Sequence, residues 1–400
     1  MNVIVLHRNF PGQFRHVVRH LLQAGHRVVG VGNMQAPGFA GVNLIRYDSS
    51  KLGIGAHRHL QAVLSGEAHG EAVAQILFQL RAKGFKPDVV LAHPGWGEAL
   101  YVKDVFPDVR LVSLFEFFYH AEGVDVGFEP NSAADFRLRA TLRGRNMLHL
   151  SNLELCDAGV SPTNWQKSLH PAAYQHKIDV AHEGVDTTLM APDPQARFTL
   201  PDGRVLKPGD PVVTYVARNL EPYRGFHRLM FALPELQRRC PQAVTVIVGG
   251  DSVSYGRPPK DAPNWREKLL AEVGPRLDLS RVHFTGQIPY QHYRSLLQVS
   301  AAHVYLTYPF VLSWSMLEAM SCQCLVLGSA TPPVLEVLRH NENGLTFDFF
   351  DIDGLATLVE NALARPDSFT HLRQQARTDI VASYDIQDGI DHYLRLLQGS

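Results

Sequence analysis

Three stretches carry side chains suited to holding a charged, hydroxylated ligand. In Ala217-Arg218-Asn219-Leu220-Glu221-Pro222-Tyr223-Arg224-Gly225, two arginines follow an apolar run. Guanidinium forks make paired bonds to phosphate oxygens, so Arg218 and Arg224 read either as a diphosphate clamp or as part of a solvated loop. In Tyr308-Pro309-Phe310-Val311-Leu312-Ser313-Trp314-Ser315-Met316-Leu317-Glu318, a helix is expected to begin near Ser313 to Ser315, whose hydroxyls can cap it. The amides at Ser313, Trp314 and Ser315 then offer a phosphate site. Glu318 lies about one turn in, where its carboxylate either accepts bonds from vicinal hydroxyls, such as those of a ribose, or serves the helix itself. The third stretch is the first loop, Arg8-Asn9-Phe10-Pro11-Gly12-Gln13. Gly12 lets backbone approach an anionic or hydroxylated group, or else marks a plain strand-to-helix turn. Its spacing is not GxGxxG, which weakens a dehydrogenase reading. Two more loops follow strand-like runs and contribute His93, Glu98, Glu116 and His120 as further candidate ligand contacts.

These groups need elements to position them, and short β-branched runs between helical patterns supply those. In the first half the runs fall at 3–6, 27–31, 88–92, 110–115 and 158–160, followed by 178–181. Apolar on both faces, they are what parallel strands covered by helices require. Phe14, Val17, Val18, Leu21 and Leu22 form one helical face, and Arg15, Arg19 and Gln23 the other, with Gly25 as the stop. Residues 186–211, rich in Pro, Gly and Asp, read as a linker with a small hairpin. Alternation restarts at 212–217, 244–248, 282–285, 303–306, 325–327 and 345–347. The expected fold is α/β, with two doubly wound, Rossmann-like domains at 1–185 and 212–384. Ligands bind beyond the carboxyl ends of such strands, so the site is expected in a cleft where the two domains face each other.

Composition bounds the partners. The 400 residues exceed what one core organises and suit two domains of about 200 residues each. Lys and Arg total 38 against 39 Asp and Glu, which removes the broad positive field expected of a nucleic-acid binder. No stretch approaches the roughly 20 apolar residues of a bilayer crossing, and MNVIVLH opens directly on a strand, so a cytoplasmic protein is expected. Arg137, Arg139, Arg143 and Arg145, with Arg15 and Arg19, form either a solvated helix face or a peripheral contact with anionic lipid at the inner membrane face. The 20 histidines lack HExxH spacing, and Cys156, Cys240, Cys322 and Cys324 lack CxxC spacing, so neither a metal site nor a disulfide framework is suggested.

The succession ARNLEPYRG, VTVIVGGD, VHFTGQIP, YPFVLSWSMLEAMSCQCLVLGS, TPPVLEVL and NENGLTFDFFD resembles the nucleotide-sugar half of the family 4 glycosyltransferases, which have the GT-B fold. SPTNWQKSL and KIDVAHEGVDTTLMAPDP are similar to the last strands of that family's first domain and its crossover. The resemblance implies that Arg218 and Arg224 stabilise the leaving diphosphate, that Glu318 binds ribose hydroxyls, and that the backbone near Gln287 and Ile288 reads the base. The glutamate that contacts the donor sugar in the family falls at Phe310, an aromatic that cannot replace those hydrogen bonds. No metal or other cofactor is implied, so Asp351-Ile352-Asp353 reads as a helix start with acidic capping rather than a metal-binding DxD. The C-terminal segment 385–400 is implied to pack back on the first domain, with a hinge near Asp186 and Tyr384.

The function that the resemblance implies is that of a retaining glycosyltransferase. It would move a sugar from a nucleotide-diphosphate donor to a hydroxyl of a saccharide, lipid-linked or protein acceptor, without metal. Two alternatives stand beside it: a non-catalytic nucleotide-sugar or glycan-binding protein of the same fold, suggested by Phe310, and an epimerase.

Overall fold

The computed structural model describes residues 1–48, 59–130 and 132–399. The chain divides into two compact units, the first made of Met1–Gly184 with Ile386–Ser400 and the second of Val185–Asp385. Each contains one wholly parallel sheet.

In the first unit the strands are β1 (Asn2–Leu6), β2 (Arg27–Asn33), β3 (Asn43–Tyr47), β4 (Val89–Ala92), β5 (Arg110–Leu114), β6 (Ala158–Ser161) and β7 (Ile178–Val180). They lie in the order β3-β2-β1-β4-β5-β6-β7. The alternation of side chains along β1 shows why both faces had to be apolar. Ile4 and Leu6 pack with Val90, Val73 and Leu77 on one side, while Val3 and Val5 pack with Leu91, Val17 and Leu21 on the other. The helix Ile386–Gln398 belongs to this second face, where Tyr393, Leu396 and Leu397 are buried and the Arg110 side chain donates to the Leu396 carbonyl at 2.7 Å. β3 has no counterpart in the sequence reading. It is an edge strand whose side chains are mostly half-buried or exposed, so its pattern lacks the continuous apolar run of the others.

In the second unit β8 (Phe198–Thr199) and β9 (Val205–Leu206) form an antiparallel hairpin. The parallel strands are β10 (Val212–Asn219), β11 (Val244–Gly250), β12 (Val282–Gly286), β13 (Ala302–Tyr305), β14 (Leu325–Ser329) and β15 (Leu345–Phe347), in the order β12-β11-β10-β13-β14-β15. The segment 186–211 is not a free linker. Phe198, Leu200 and Leu206 are buried against Val212, Val244 and Leu296, and Met190 sits in the other core of the same unit. Asp351 accepts a hydrogen bond from the Gly354 amide at 2.8 Å and so caps the helix Ile352–Ala364. The four cysteines are buried thiols, and no helix among the described residues is long and apolar enough to cross a membrane.

Candidate functional site

Both sheets reverse their strand order beside their first strand, between β1 and β4 and between β10 and β13, and loops diverging there leave a crevice. In the second unit β10 carries one extra residue against β11. Val216 pairs with Val248, but the next pair is Asn219 with Gly250. Such a bulge turns a side chain out of the ladder, and here it falls at Ala217 and Arg218. A similar shift in β12, from the Phe284 pair to the Gly286 pair, precedes Gln287 and Ile288.

These irregular strand ends surround a cavity of about 380 Å³. Arg218, Gln287 and Ile288 line one part of it, and Ser313, Trp314, Ser315 and Glu318 another. Seven residues singled out from the sequence are thereby brought together. Arg218 is exposed and has no ion-pair partner among the described residues. Ser313 caps the helix Trp314–Ser321, its hydroxyl accepting from the Ser315 amide at 3.4 Å, and its own amide donates to the Tyr305 hydroxyl at 2.8 Å.

Glu318 is 8% exposed. Its Oε1 accepts from the Tyr290 hydroxyl at 2.7 Å and its Oε2 from the Tyr293 hydroxyl at 2.6 Å. Burial pushes its pKa up, and the two phenols oppose that shift only in part. Both tyrosines line the cavity and went unnoticed in the sequence. The available signal was their spacing in Tyr290-Gln291-His292-Tyr293, one helical face just after Ile288.

Arg224 and Phe310 do not line this cavity. Arg224 is 7% exposed and lies outside the cavity. Its Nη1 donates to Thr307 Oγ1 at 2.9 Å and to the Val311 carbonyl at 2.8 Å, and its guanidinium lies 5.2 Å from the centre of the Tyr255 ring. It therefore braces the loop after β13 from within. Phe310 is also buried, in edge-on contact with Tyr223 and tilted against Tyr255, with ring centres 5.5 and 4.9 Å away. It packs within a cluster of aromatic rings.

In the first unit a polar network joins the ends of β1, β4 and β5. The Asn9 amide donates to His7 Nδ1 at 3.0 Å, which puts the proton of the neutral ring on Nε2, facing Gln13 Oε1 at 2.7 Å. Gln13 Nε2 in turn donates to Glu116 Oε1 at 2.9 Å. The Gly95 amide donates to His93 Nδ1 at 3.2 Å, so His93 Nε2 faces Glu116 Oε2 at 3.4 Å. Burial, with His93 nearby, lowers the His7 pKa to about 3, which keeps that ring neutral. Glu116 is lowered although burial works against it, because His93 and Gln13 bond its charged form. The Trp96 ring stacks on His93 with centres 4.3 Å apart. Gly12 makes the turn possible: its φ is +53°, and a β-carbon there would meet the His7 ring at 2.2 Å.

His7, Gln13 and Trp96 were not singled out from the sequence; each lies within five positions of a residue that was. Glu98 departs from expectation. It is 1% exposed, and its Oε1 accepts from the Tyr47 hydroxyl at 2.6 Å, so it faces the interior. His120 Nε2 donates to the Leu169 carbonyl at 2.7 Å, which ties it to the turn after the helix Asn164–Ser168 rather than to Glu116.

Comparison with known proteins adds to this geometry. Residues 24–190 match the family model described as Glycosyl transferase family 4 group, and residues 199–379 the one described as Glycosyl transferases group 1. A GDP-mannose-dependent alpha-(1-6)-phosphatidylinositol monomannoside mannosyltransferase of Mycolicibacterium smegmatis is 30% identical over 189 residues, 46% of this chain and 46% of the relative. The chain thus matches about half the length of that relative. A protein of the same description from Mycobacterium tuberculosis is 25% identical over 299 residues, 72% of this chain and 71% of that one. Among solved structures, sucrose-phosphate synthase from Thermosynechococcus elongatus superposes with a TM-score of 0.73 at 16% identity, over 100% of both chains. HepE of Anabaena, in complex with UDP and glucose, gives 0.72 at 15% identity, also over 100% of both. At such identities these two likenesses speak for the fold alone.

Proposed function

This chain belongs to the family 4 glycosyltransferases, and from that premise we propose that it moves a sugar, with retention of configuration and without metal, from a nucleotide-diphosphate donor to a hydroxyl of a saccharide or lipid-linked acceptor. The observation that carries the reading is the cavity in the second unit that gathers an exposed guanidinium, a capped helix start and a carboxylate. Departure of the diphosphate builds negative charge, and Arg218 with the amides at Trp314 and Ser315 is suited to stabilise it. Glu318 would take ribose hydroxyls on the lone pairs its tyrosines leave open, and the backbone at Gln287 and Ile288 would meet the base. The leaving phosphate itself would accept the acceptor proton, so no separate protein base is needed at that step.

Glu116 has both oxygens oriented by donors and one side open to solvent, which suits it to hold a hydroxyl of the acceptor. A lipid-linked acceptor is favoured by the description of the mycobacterial relatives as acting on phosphatidylinositol monomannoside. The helix Phe136–Leu155 would then meet the membrane at the cytoplasmic face, since it exposes Phe136, Met147 and Leu150 beside Arg137 and Arg143. A nucleotide-sugar-binding protein without turnover is the second reading, and Phe310 at the place of the family's sugar-contacting glutamate is what favours it.

The test is incubation of the full chain with GDP-mannose, UDP-glucose and related donors, with and without lipid and saccharide acceptors. Nucleotide release together with an acceptor heavier by one sugar is the expected result. Binding without release would favour the second reading, and failure of every nucleotide to bind would overturn both.

A further inference from the structure

The second unit holds another cavity, of about 540 Å³, that shares no lining residue with the first. Its walls come from the loops after β10, β11 and β13 and from the helix Trp265–Val273: Tyr223, Tyr308 and Trp265 contribute aromatic rings, the last with the Lys268 ammonium 5.6 Å from its centre, and Pro222, Pro258 and Pro259 contribute aliphatic ones. Arg257, Lys260 and Lys268 stand around it with a single carboxylate, Asp261.

The wall is rigidly built. Glu221, 1% exposed, accepts from the amides of Ser254 and Gly256, each at 2.8 Å, and both its oxygens lie 3.3 Å from the Tyr255 amide. A buried carboxylate thus pins the loop after β11 through three successive backbone donors. The Trp265 indole donates to the Arg257 carbonyl at 2.9 Å, which fixes that ring. The Tyr223 and Tyr308 rings are tilted by 31° against each other with centres 4.9 Å apart, and the Tyr308 amide donates to the Tyr223 carbonyl at 3.0 Å.

We propose that this cavity is a second saccharide subsite, for a sugar carrying a carboxylate or phosphate group. Aromatic and proline side chains suit the C–H surface of a pyranose, and a few polar groups at the edge fix its orientation. The anionic substituent follows from the charges. Lys268 is engaged by both oxygens of Asp261 at 2.8 and 2.9 Å, whereas Arg257 and Lys260 are exposed with no ion-pair partner among the described residues. A nucleotide is disfavoured because the three amides that could cradle a pyrophosphate are already filled by Glu221. The paired tyrosines, in contact with each other, leave no slot between them for a base. Because the wall is held in place before any ligand arrives, little ordering cost falls on binding. Occupancy does not depend on the transfer reading.

Calorimetry and saturation-transfer NMR on the full chain would test this with methyl glucuronide, glucose 6-phosphate, methyl glucoside and inorganic phosphate. The charged sugars are expected to bind roughly fivefold or more tightly than methyl glucoside, with inorganic phosphate weaker still. Whether the uronide or the sugar phosphate binds more tightly identifies the anion. Arg257→Glu/Lys260→Glu should weaken the charged sugars by roughly fivefold or more without lowering thermal stability, and Trp265→Ala should weaken all the sugars. Binding of GDP and UDP, measured on the same samples, should not change. No binding by any sugar, inorganic phosphate binding as tightly as the sugars, or affinities untouched by the double variant would each overturn the proposal. Loss of nucleotide binding alone would strike the transfer reading and leave this one standing.

Discussion

Both units wind their sheets the same way and reverse strand order beside their first strand, yet the groups at the two reversals differ in electrical character. Next to β1 and β4 lie the neutral His7 imidazole, the His93 ring and a half-exposed carboxylate whose oxygens are both already oriented. Next to β10 and β13 lie an exposed guanidinium, a helix start and a carboxylate held by two phenols. The first arrangement suits a hydroxyl that donates, the second an anion. One topology supports both because only the residues just past the strand ends need change.

Acid should separate the units most strongly. The first unit buries His7 and His149, each lowered to about 3, and His170 and His182, each lowered to about 4, all mainly by burial. The second unit has His303, lowered to about 3 for the same reason. A histidine whose folded pKa lies below its unfolded value refuses a proton that the unfolded chain takes, so stability falls as pH drops below about 6.5. Each such group contributes roughly 1.4 kcal/mol per pH unit until its own folded pKa is reached. Glu116, lowered in the fold, adds to the loss in acid, whereas Glu318, raised, opposes it in the second unit. Peptide-resolved hydrogen exchange from about pH 7 to about pH 4.5 should show the first unit losing protection well before the second. Simultaneous loss, or the reverse order, would break the comparison.

Substitutions at the two carboxyl ends should divide the substrates between the units. Arg218→Ala is expected to lower kcat/KM by roughly 100- to 1,000-fold, the scale of removing one donor aimed at developing charge, and to weaken nucleotide binding with it. Glu116→Gln keeps the shape and removes the charge. It should cost about 10- to 100-fold in kcat/KM for acceptor, as expected when a charge-assisted hydrogen bond becomes a neutral one, while the calorimetric affinity for nucleotide stays put. If Glu116→Gln weakened nucleotide and Arg218→Ala spared it, the assignment of anion and hydroxyl to the two ends would be inverted.

The two ends were also unequally legible. Arg218, Ser313 and Glu318 could be read because one short loop and one helix start carry them, each just past an apolar run. The network around Glu116 draws on three strand ends separated by about eighty and twenty residues, and no spacing rule links His7, His93 and Glu116 before the sheet is assembled. The position of Arg224 was illegible for a related reason. An arginine after a strand looks the same in sequence whether it faces solvent or, as here, turns inward to Thr307 and the Val311 carbonyl. Nearly all the strands were legible because two covered faces demand continuous apolar runs; β3 was not, because an edge strand makes no such demand. The 186–211 segment reads as a linker by composition, yet three apolar side chains of its hairpin are enough to bind it to the second core.

The smallest expected effect lies within the anion-binding end. Tyr290 is half-exposed in the cavity and donates a hydrogen bond to Glu318 Oε1, while buried Tyr293 holds Oε2. Tyr290→Phe removes one of the two donors that oppose the upward push of burial on the Glu318 pKa, so that pKa should rise further. At neutral pH the freed lone pair remains available to a ribose hydroxyl, and nucleotide affinity should change by less than about threefold. In mild acid the variant should lose affinity at a higher pH than the parent, because its carboxylate takes a proton sooner as pH falls. Nucleotide titrations across that range measure the midpoint directly. An unmoved or lowered midpoint would mean that Glu318 does not bind the ribose as a carboxylate, and the contrast with Glu116, lowered in the fold and so charged well into acid, would lose its basis at the donor end.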